Sequence, residues 1–146
     1  MFESCLAKQQ QVKALFEDCA TEEDKYARLI ELGRQQQALN PLYKTSANLV
    51  EGCQSQLWLH AYTNDKSEVI FETEADALIS AGLAALLVKV YSGETPETIL
   101  KCPPTYLDEL GIHTSLSPNR ANGLYSAHLR MKREALRLLT EKTYTN

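Results

Sequence analysis

The sequence has no long run of basic residues, and acidic residues outnumber basic ones. It contains 15 Lys and Arg against 19 Asp and Glu, which gives a net charge of -4. Proteins that bind nucleic acid through its phosphates carry a basic patch or stripe. We therefore expect no nucleic-acid partner.

The chain also lacks an uninterrupted apolar segment of the length that crosses a bilayer, about 20 residues. Its most apolar segment, residues 75–91, contains Asp76 and Lys89 and predicts a buried helix. The N-terminal segment carries Glu3, Lys8 and three glutamines at positions where a secretory signal would be apolar. The sequence thus predicts no membrane association, an unprocessed N-terminus and a cytoplasmic location.

The four cysteines form no CxxC pair, and their spacing matches no zinc-ligand pattern. In a reducing cytosol the default state is the free thiol. Cys5 and Cys19 share the apolar face of a predicted helix, so we expect them to pack in the core. Cys102 precedes Pro103 and Pro104 in a predicted loop, where it could be solvent accessible. We expect no bound metal ion and no cofactor.

The length and composition fit one globular domain covering residues 1–146, since 44% of the 146 residues are hydrophobic and 23% are charged. Helical periodicity predicts an amphipathic helix near the N-terminus and a second one after it. Thr21 is the expected N-cap of the second helix, because three acidic residues follow it in the first turn. Gly33 is expected to end or interrupt that helix.

The centre of the chain has the period of two β-strands. Apolar and polar residues alternate over residues 56–62 and again over 68–72, with a turn at 63–66 between them. Residues 48–50 could add a short third strand. The preceding segment, 35–48, has no clear period and predicts a loop or short turns.

After the strands the pattern returns to helices. A helix that is apolar on almost every side is expected after Thr73, and Thr95 and Pro96 carry the start signal of a short one. Ser117 and Pro118 repeat that signal before a long C-terminal helix. The predicted fold class is therefore α+β, with a small antiparallel three-stranded sheet packed against helices.

Cys53 differs from the other cysteines because it directly follows Gly52 at the entrance to a predicted strand. Glycine permits a backbone bend that a side chain would hinder, so the sulfur could sit at the tip of a tight loop. A thiolate there could act as a nucleophile on another protein's sulfur. Cys53 could equally be a small buried hydrophobic residue, and the residues alone leave both interpretations open.

Three segments resemble the motifs of a known family, in the family's order. Residues 52–58 (GCQSQLW) resemble the GCxSxxW motif of the SufE family, the sulfur-accepting partners of cysteine desulfurases. Residues 74–83 (EADALISAGL) resemble the family's helix with an acidic start, and residues 116–124 (LSPNRANGL) resemble its LxPSRxxGL segment. The resemblance covers residues 5 to 140.

The resemblance implies a compact α+β fold, similar to iron-sulfur scaffold proteins of the NifU and IscU type, with the cysteine on a loop at one end. It implies that Cys53 accepts sulfur from the persulfide of a SufS-like or CsdA-like cysteine desulfurase and stimulates that enzyme. The sulfur would then pass to a downstream iron-sulfur scaffold. The protein would act as a sulfur-transfer partner rather than as a stand-alone enzyme.

The same resemblance suggests roles for five neighbours of Cys53. Gly52, Gln54 and Ser55 belong to the first motif and are expected to hold the loop. Asp76 matches an acidic residue near the cysteine loop, where it could restrain the loop, although an acid at a helix start is also ordinary dipole compensation. Arg120 could pair with Asp76, face the partner's active site, or be an exposed first-turn arginine.

Three other functions stay open. An iron-sulfur scaffold needs several convergent cysteine ligands, and Cys53 alone has a suitable sequence context. A regulator that binds the desulfurase without transferring sulfur would not need the thiol at all. A cysteine hydrolase would need a general base near Cys53, and the sequence gives no evident Cys-His pair, since His113 and His128 are interpreted as loop and helix residues.

Overall fold

The computed structural model describes residues 1–112 and 116–145, with side chains through residue 141, so the predicted loop position of His113 lies outside the described residues. Helices and two strands follow in chain order: α1 (Glu3–Ala14), α2 (Glu22–Arg34), β1 (Leu57–Thr63), β2 (Val69–Ala75), α3 (Leu78–Tyr91), α4 (Pro96–Lys101), α5 (Thr105–Glu109) and α6 (Pro118–Thr145). Short 3-10 turns at Pro41–Tyr43 and Ser46–Asn48 occupy the segment predicted as a loop.

The start of α2 confirms the expected N-cap. The Thr21 side chain accepts a hydrogen bond from the Asp24 N–H, and the Asp24 carboxylate accepts one from the Thr21 N–H. This capping box satisfies two backbone donors at the helix start. The prediction that Gly33 ends or interrupts the helix is wrong, because α2 continues through Arg34 and Gly33 packs against the first turns of α3.

The two strands form the predicted antiparallel hairpin, in which Leu57 pairs with Ala75 and Thr63 with Val69. One face of the hairpin is buried and the other is partly exposed, as alternation predicts. The buried side chains are Leu57, Leu59 and Ala61 on β1 and Val69, Phe71 and Thr73 on β2. The hairpin therefore covers the core with its inner face.

The predicted third strand is wrong, because the sheet in the described part of the chain has two strands. The segment that was expected to supply it makes a single bridge, from Leu49 to Trp58. A 3-10 turn occupies the backbone through Asn48, and Gly52 turns the chain with a φ of 88°. The few residues between these two features leave room for one bridging pair rather than a strand.

The buried helix α3 lies at the centre of the molecule and packs against α1, α2, β2 and α6. Its contact with α2 is close because Gly82 has no side chain. A Cβ atom at Gly82 would lie 2.0 Å from the carbonyl oxygen of Leu29 in α2. The sequence pattern predicts the apolar character of α3 correctly but not this helix crossing.

Cys102 is buried, so the expectation that it could be solvent accessible is wrong. Only 1% of Cys102 is exposed, and Cys5 in α1 is fully buried beside it. The side-chain amide of Gln9 donates to the Pro103 carbonyl at 3.0 Å and lies 3.7 Å from the Cys102 sulfur. Burial, together with the neighbouring Cys102, raises the pKa of Cys5 to about 12. The Cys5 thiol therefore stays protonated, while Cys19 is partly buried and packs against the core.

Among the described residues, no helix is both long enough and apolar enough to span a membrane.

His128 lies on α6 and has one buried ring nitrogen without a hydrogen-bond partner among the described residues. That nitrogen is Nε2, and the imidazole ring stacks on Tyr91 with 5.1 Å between centroids. Burial and then the charge of Lys132 lower the pKa of His128 to about 4. The folded protein therefore binds the proton less tightly than the unfolded chain does.

We expect the free energy of unfolding to fall with acidification because of His128. The unfolded imidazole titrates near pH 6.5, so the stabilisation is present above that pH and is lost as the pH falls toward 4. The loss between about pH 7.5 and pH 5 should be about 2 kcal/mol. Urea unfolding of His128→Phe, which keeps an aromatic ring against Tyr91, should lack this component. An equal acid sensitivity in the variant would contradict the assignment.

Candidate functional site: the Cys53 loop and its cavity

The bend predicted before Cys53 is present. Gly52 has a φ of 88°, in the left-handed region that residues with side chains rarely adopt. A Cβ atom on Gly52 would also lie 2.5 Å from the Ser126 Oγ atom of α6. The backbone conformation therefore favours glycine here, and a side chain at this position would also force the Ser126 hydroxyl to move.

The Cys53 thiol is half-buried between the loop and α6. Its Sγ atom lies 3.7 Å from the carbonyl oxygen of Gly123, within reach of a weak S–H hydrogen bond. Burial raises the pKa of the Cys53 thiol above its ordinary value. The group is thus neither a core residue nor a fully exposed loop tip, and in this conformation it is held mainly as the protonated thiol.

A cavity of about 240 Å³ opens beside Cys53. Its floor is apolar and its rim is polar. The floor is formed by side chains of β1, of α3 and the residue before it, and of α6, namely Leu57, Ala77, Ile79, Leu83, Ala84, Leu124 and Ala127. The rim includes Gln54, Ser55, Ser80, Asn119, Arg120 and the backbone of Gly123. The volume is large enough for additional atoms bonded to the Cys53 sulfur.

Two hydrogen-bonded contacts hold the segment that follows Cys53. The hydroxyls of Ser55 and Ser80 lie 2.6 Å apart and connect the loop to α3. The carboxylate of Asp76 accepts a hydrogen bond from the Gln56 N–H at 3.0 Å, and the Asp76 N–H donates to the Gln56 carbonyl at 3.1 Å. Asp76 is exposed and bonded to the backbone at the end of the loop, which matches a restraining position.

Arg120 lines the cavity but does not pair with Asp76. Its guanidinium donates to the Tyr26 hydroxyl at 2.7 Å and lies 5.5 Å from the centre of the Tyr26 ring. The predicted alternative of an ion pair with Asp76 is therefore wrong, because the Asp76 carboxylate bonds the Gln56 backbone instead. Within residues 1–112 and 116–141, the other N–H groups of the Arg120 side chain have no hydrogen-bond partner, so they can interact with a group in the cavity.

The structure thus brings five of the expected site residues to the cavity or its loop: Gly52, Cys53, Gln54, Ser55 and Arg120. Asp76 lies at the base of the loop. Sequence reasoning missed Ser80, Gly123 and Tyr26. Ser80 and Gly123 lie inside the second and third motifs, so the motifs themselves marked these positions, whereas nothing in the sequence places Tyr26 of α2 beside Arg120.

We expect Ser80→Ala to make Cys53 more reactive toward iodoacetamide. The loss of the Ser55–Ser80 hydrogen bond removes about 1 kcal/mol that favours the closed loop, which corresponds to a rise in alkylation rate of roughly fivefold. Ser92→Ala is a matched control, because the Ser92 hydroxyl accepts a hydrogen bond from the Phe71 N–H far from the loop. Equal acceleration in both variants would indicate general destabilisation rather than a specific effect on the loop.

These features define an α+β protein that presents a half-buried thiol at the rim of a surface cavity. The model of the SufE family, described as an Fe-S metabolism associated domain, matches residues 10–135. The chain therefore belongs to the SufE family and contains its Fe–S metabolism associated domain.

Individual relatives agree with this assignment. The chain is 38% identical over 131 residues to the SufE-like protein 1, chloroplastic/mitochondrial, of Arabidopsis thaliana. That match covers 90% of this chain but 35% of the relative's length. An uncharacterized SufE-like protein of Synechocystis is 32% identical over 120 residues, which cover 82% of this chain and 75% of the relative.

The fold is also similar to a solved structure. The solution structure of a hypothetical protein from Thermus thermophilus superposes with a TM-score of 0.72 at 26% identity. The match covers 91% of this chain and 96% of that chain. The mixed helix and strand architecture, with a small antiparallel sheet packed on helices, is thereby shared with an experimentally solved protein.

Proposed function

We propose that this protein is a sulfur acceptor, which takes persulfide sulfur from a cysteine desulfurase onto Cys53, stimulates that enzyme and passes the sulfur to iron-sulfur cluster assembly. The observation that carries the proposal is the half-buried Cys53 sulfur beside a cavity that can receive more atoms. Membership of the SufE family agrees with this role. The protein is then a transfer partner rather than a stand-alone enzyme.

The transfer is an exchange without net oxidation. The Cys53 thiolate attacks the terminal sulfur of the donor persulfide, so that a new S–S bond forms and the donor's S–S bond breaks. The donor cysteine leaves as a thiolate and takes up a proton, and Cys53 becomes a persulfide. Because burial raises the pKa of the resting thiol, reaction requires Cys53 to lose its proton as the loop moves or the partner docks.

The cavity has a second use after the transfer. A persulfide is reactive, and the apolar floor formed by residues such as Leu83 and Leu124 would keep water and small thiols from the terminal sulfur. The polar rim, which includes Arg120, would stabilise a sulfur anion on Cys53. A loop held by a few hydrogen bonds can close over the sulfur and open again at the next partner.

The positions of the other cysteines favour sulfur transfer over cluster assembly. Cys5 and Cys102 lie together in the core, and Cys19 packs near the end of α1. None of these three lines the cavity at Cys53. A scaffold role would need them to converge on one iron site.

A hydrolase is disfavoured on similar grounds. Among the described residues that line the cavity, none is a histidine, aspartate or glutamate that could serve as general base.

We propose a cytoplasmic location, as the sequence predicts. The name of the Arabidopsis relative assigns that protein to organelles.

The test is a sulfur-loading experiment. The purified protein is mixed with a desulfurase of the SufS or CsdA type and free cysteine, without other reductant, and its peptides are analysed by mass spectrometry. We expect one added sulfur on the peptide that contains Cys53 and none on those containing Cys5 or Cys102. Loading spread over all cysteines, or none at Cys53, would overturn the proposal. A stable cluster absorbance after anaerobic reconstitution would favour the scaffold instead.

A further inference from the structure

The long helix α6 carries two apolar seams on different faces. The inner seam packs in the core and comprises Leu124, Ala127, Met131 and Ala135, all buried. We call the second one the outer seam, and it comprises Tyr125, Leu129, Lys132, Leu136 and Leu139. In the outer seam Tyr125 is 66% exposed and Leu136 is 54% exposed, so large apolar side chains face solvent.

The spacing of the outer seam indicates the shape of its partner. Its members follow one another at intervals of four, three, four and three residues. This is the heptad spacing by which one helix packs knobs-into-holes against another, and a single polar residue such as Lys132 within the seam fixes the register. A membrane-binding helix instead has a wide apolar face, which this narrow seam does not provide.

The charge of α6 is opposite to that of the rest of the chain. The helix contains six of the 15 basic residues and two of the 19 acidic ones. Arg130 and Arg137 pair with Glu134 on the same helix. Lys132 in the seam and Arg133 beside it form no ion pair among the described residues, so both charges are available to a partner. A second copy of this chain would bring these like charges together, which disfavours self-pairing through the seam.

The outer seam adjoins the Cys53 loop. A groove of about 590 Å³ lies between the loop and α6 and is lined by Glu51, Gly52, Leu129, Arg133 and Arg137 among others. A Cβ atom on Gly52 would lie 2.5 Å from the Oγ atom of Ser126, the residue next to Tyr125. A helix seated on the seam would therefore touch the loop that carries the thiol.

We propose that the outer seam of α6 binds an acidic amphipathic helix of the protein that exchanges sulfur with Cys53. The heptad spacing of the seam favours a helix as the partner, and the positive charges of Lys132 and Arg133 favour an acidic helix. The groove beside the seam would bring that helix into contact with the Cys53 loop. The proposal that the outer seam binds an acidic helix depends on the seam alone. The proposal that this helix belongs to the sulfur donor rests on the proposed function.

The test uses the full chain and a designed probe. The probe is a fluorescent peptide of three heptads with Leu at the seam positions and Glu at the flanking positions, and its counterpart carries Lys in place of Glu. By fluorescence anisotropy we expect the acidic peptide to bind at least about tenfold more tightly than the basic one. Leu136→Asp and Arg133→Glu should each weaken binding of the acidic peptide by about tenfold or more.

Two controls separate this inference from the proposed function. Leu42→Asp alters another exposed leucine, far along the chain in the 3-10 turn Pro41–Tyr43, and should leave peptide binding unchanged. Cys53→Ser should also bind the peptide normally, because the seam does not include the thiol. A failure of sulfur loading with intact peptide binding would therefore reject the function and leave the seam in place.

Several outcomes would overturn the inference. These are equal affinity for the two peptides, acidic-peptide affinity weaker than about 1 mM, and unchanged binding of the acidic peptide in both Leu136→Asp and Arg133→Glu. Binding of the wild type to vesicles of phosphatidylglycerol that is lost in Leu136→Asp would assign the seam to a membrane surface. Self-association in sedimentation that is lost in Leu136→Asp would assign it to a second copy of the chain.

Discussion

Cys53→Ser is expected to lose all desulfurase-dependent sulfur loading and the stimulation of the desulfurase. A serine hydroxyl is far less acidic than a thiol and has no neighbouring base among the described cavity residues, so it cannot accept the terminal sulfur. The substitution replaces sulfur by the smaller oxygen at a half-buried site with room beside it. The fold should therefore tolerate it, and circular dichroism and urea unfolding should remain close to the wild type.

The matched control is Cys19→Ser. Cys19 is also partly buried, but it lies after α1 and does not line the cavity. This variant should load sulfur and stimulate the desulfurase as the wild type does. If Cys53→Ser still stimulated the enzyme fully, the protein would act as a binding regulator, and the transfer role would be rejected.

Gly82→Ala is expected to cause the largest loss of stability among single-methyl changes in the core. The added Cβ would lie 2.0 Å from the Leu29 carbonyl oxygen and 2.8 Å from its carbonyl carbon. These are backbone atoms of α2, so the clash can be relieved only if α2 and α3 move apart. We expect a decrease of about 3 kcal/mol or more in the free energy of unfolding, measured with urea.

Gly123→Ala provides the comparison for this prediction. Gly123 is also inside a helix, but a Cβ there would lie 3.8 Å from the Cys53 sulfur, an ordinary contact distance. Alanine favours helix over glycine by about 1 kcal/mol, so this variant should be equally or more stable than the wild type. If Gly82→Ala were as stable as Gly123→Ala, the close contact between α2 and α3 would not be the reason for glycine at position 82.

Much of the fold could be predicted because each element carries its own local signal. The β-hairpin follows from strict alternation, the start of α2 from Thr21 and the acids after it, and the start of α4 from Thr95 followed by Pro96. Such signals act within a few residues of the chain. The prediction of a third strand was wrong because strand pairing depends on the path of the backbone between Asn48 and Gly52. Residue type alone does not determine that path.

The sequence did not predict the burial of Cys102 or the contact partner of Arg120, because both depend on packing between segments that are distant along the chain. Because Cys102 precedes two prolines, the sequence predicted that it could be exposed. In the folded chain α1 covers it. A pair with Asp76 was one of three alternatives for Arg120, whereas the fold places Tyr26 of α2 against the guanidinium. Sequence patterns carry no direct information on such contacts, since the pairs lie far apart along the chain.

By itself the sequence determined that Cys53 follows a glycine at a bend, that the chain resembles the SufE family, and where most helices and both strands lie. Only the tertiary structure decided that the thiol is half-buried, that its pKa is raised, and that a cavity opens beside it. The physical reason is that a bend is encoded locally by Gly52, while burial and cavity shape arise where β1, α3 and α6 meet.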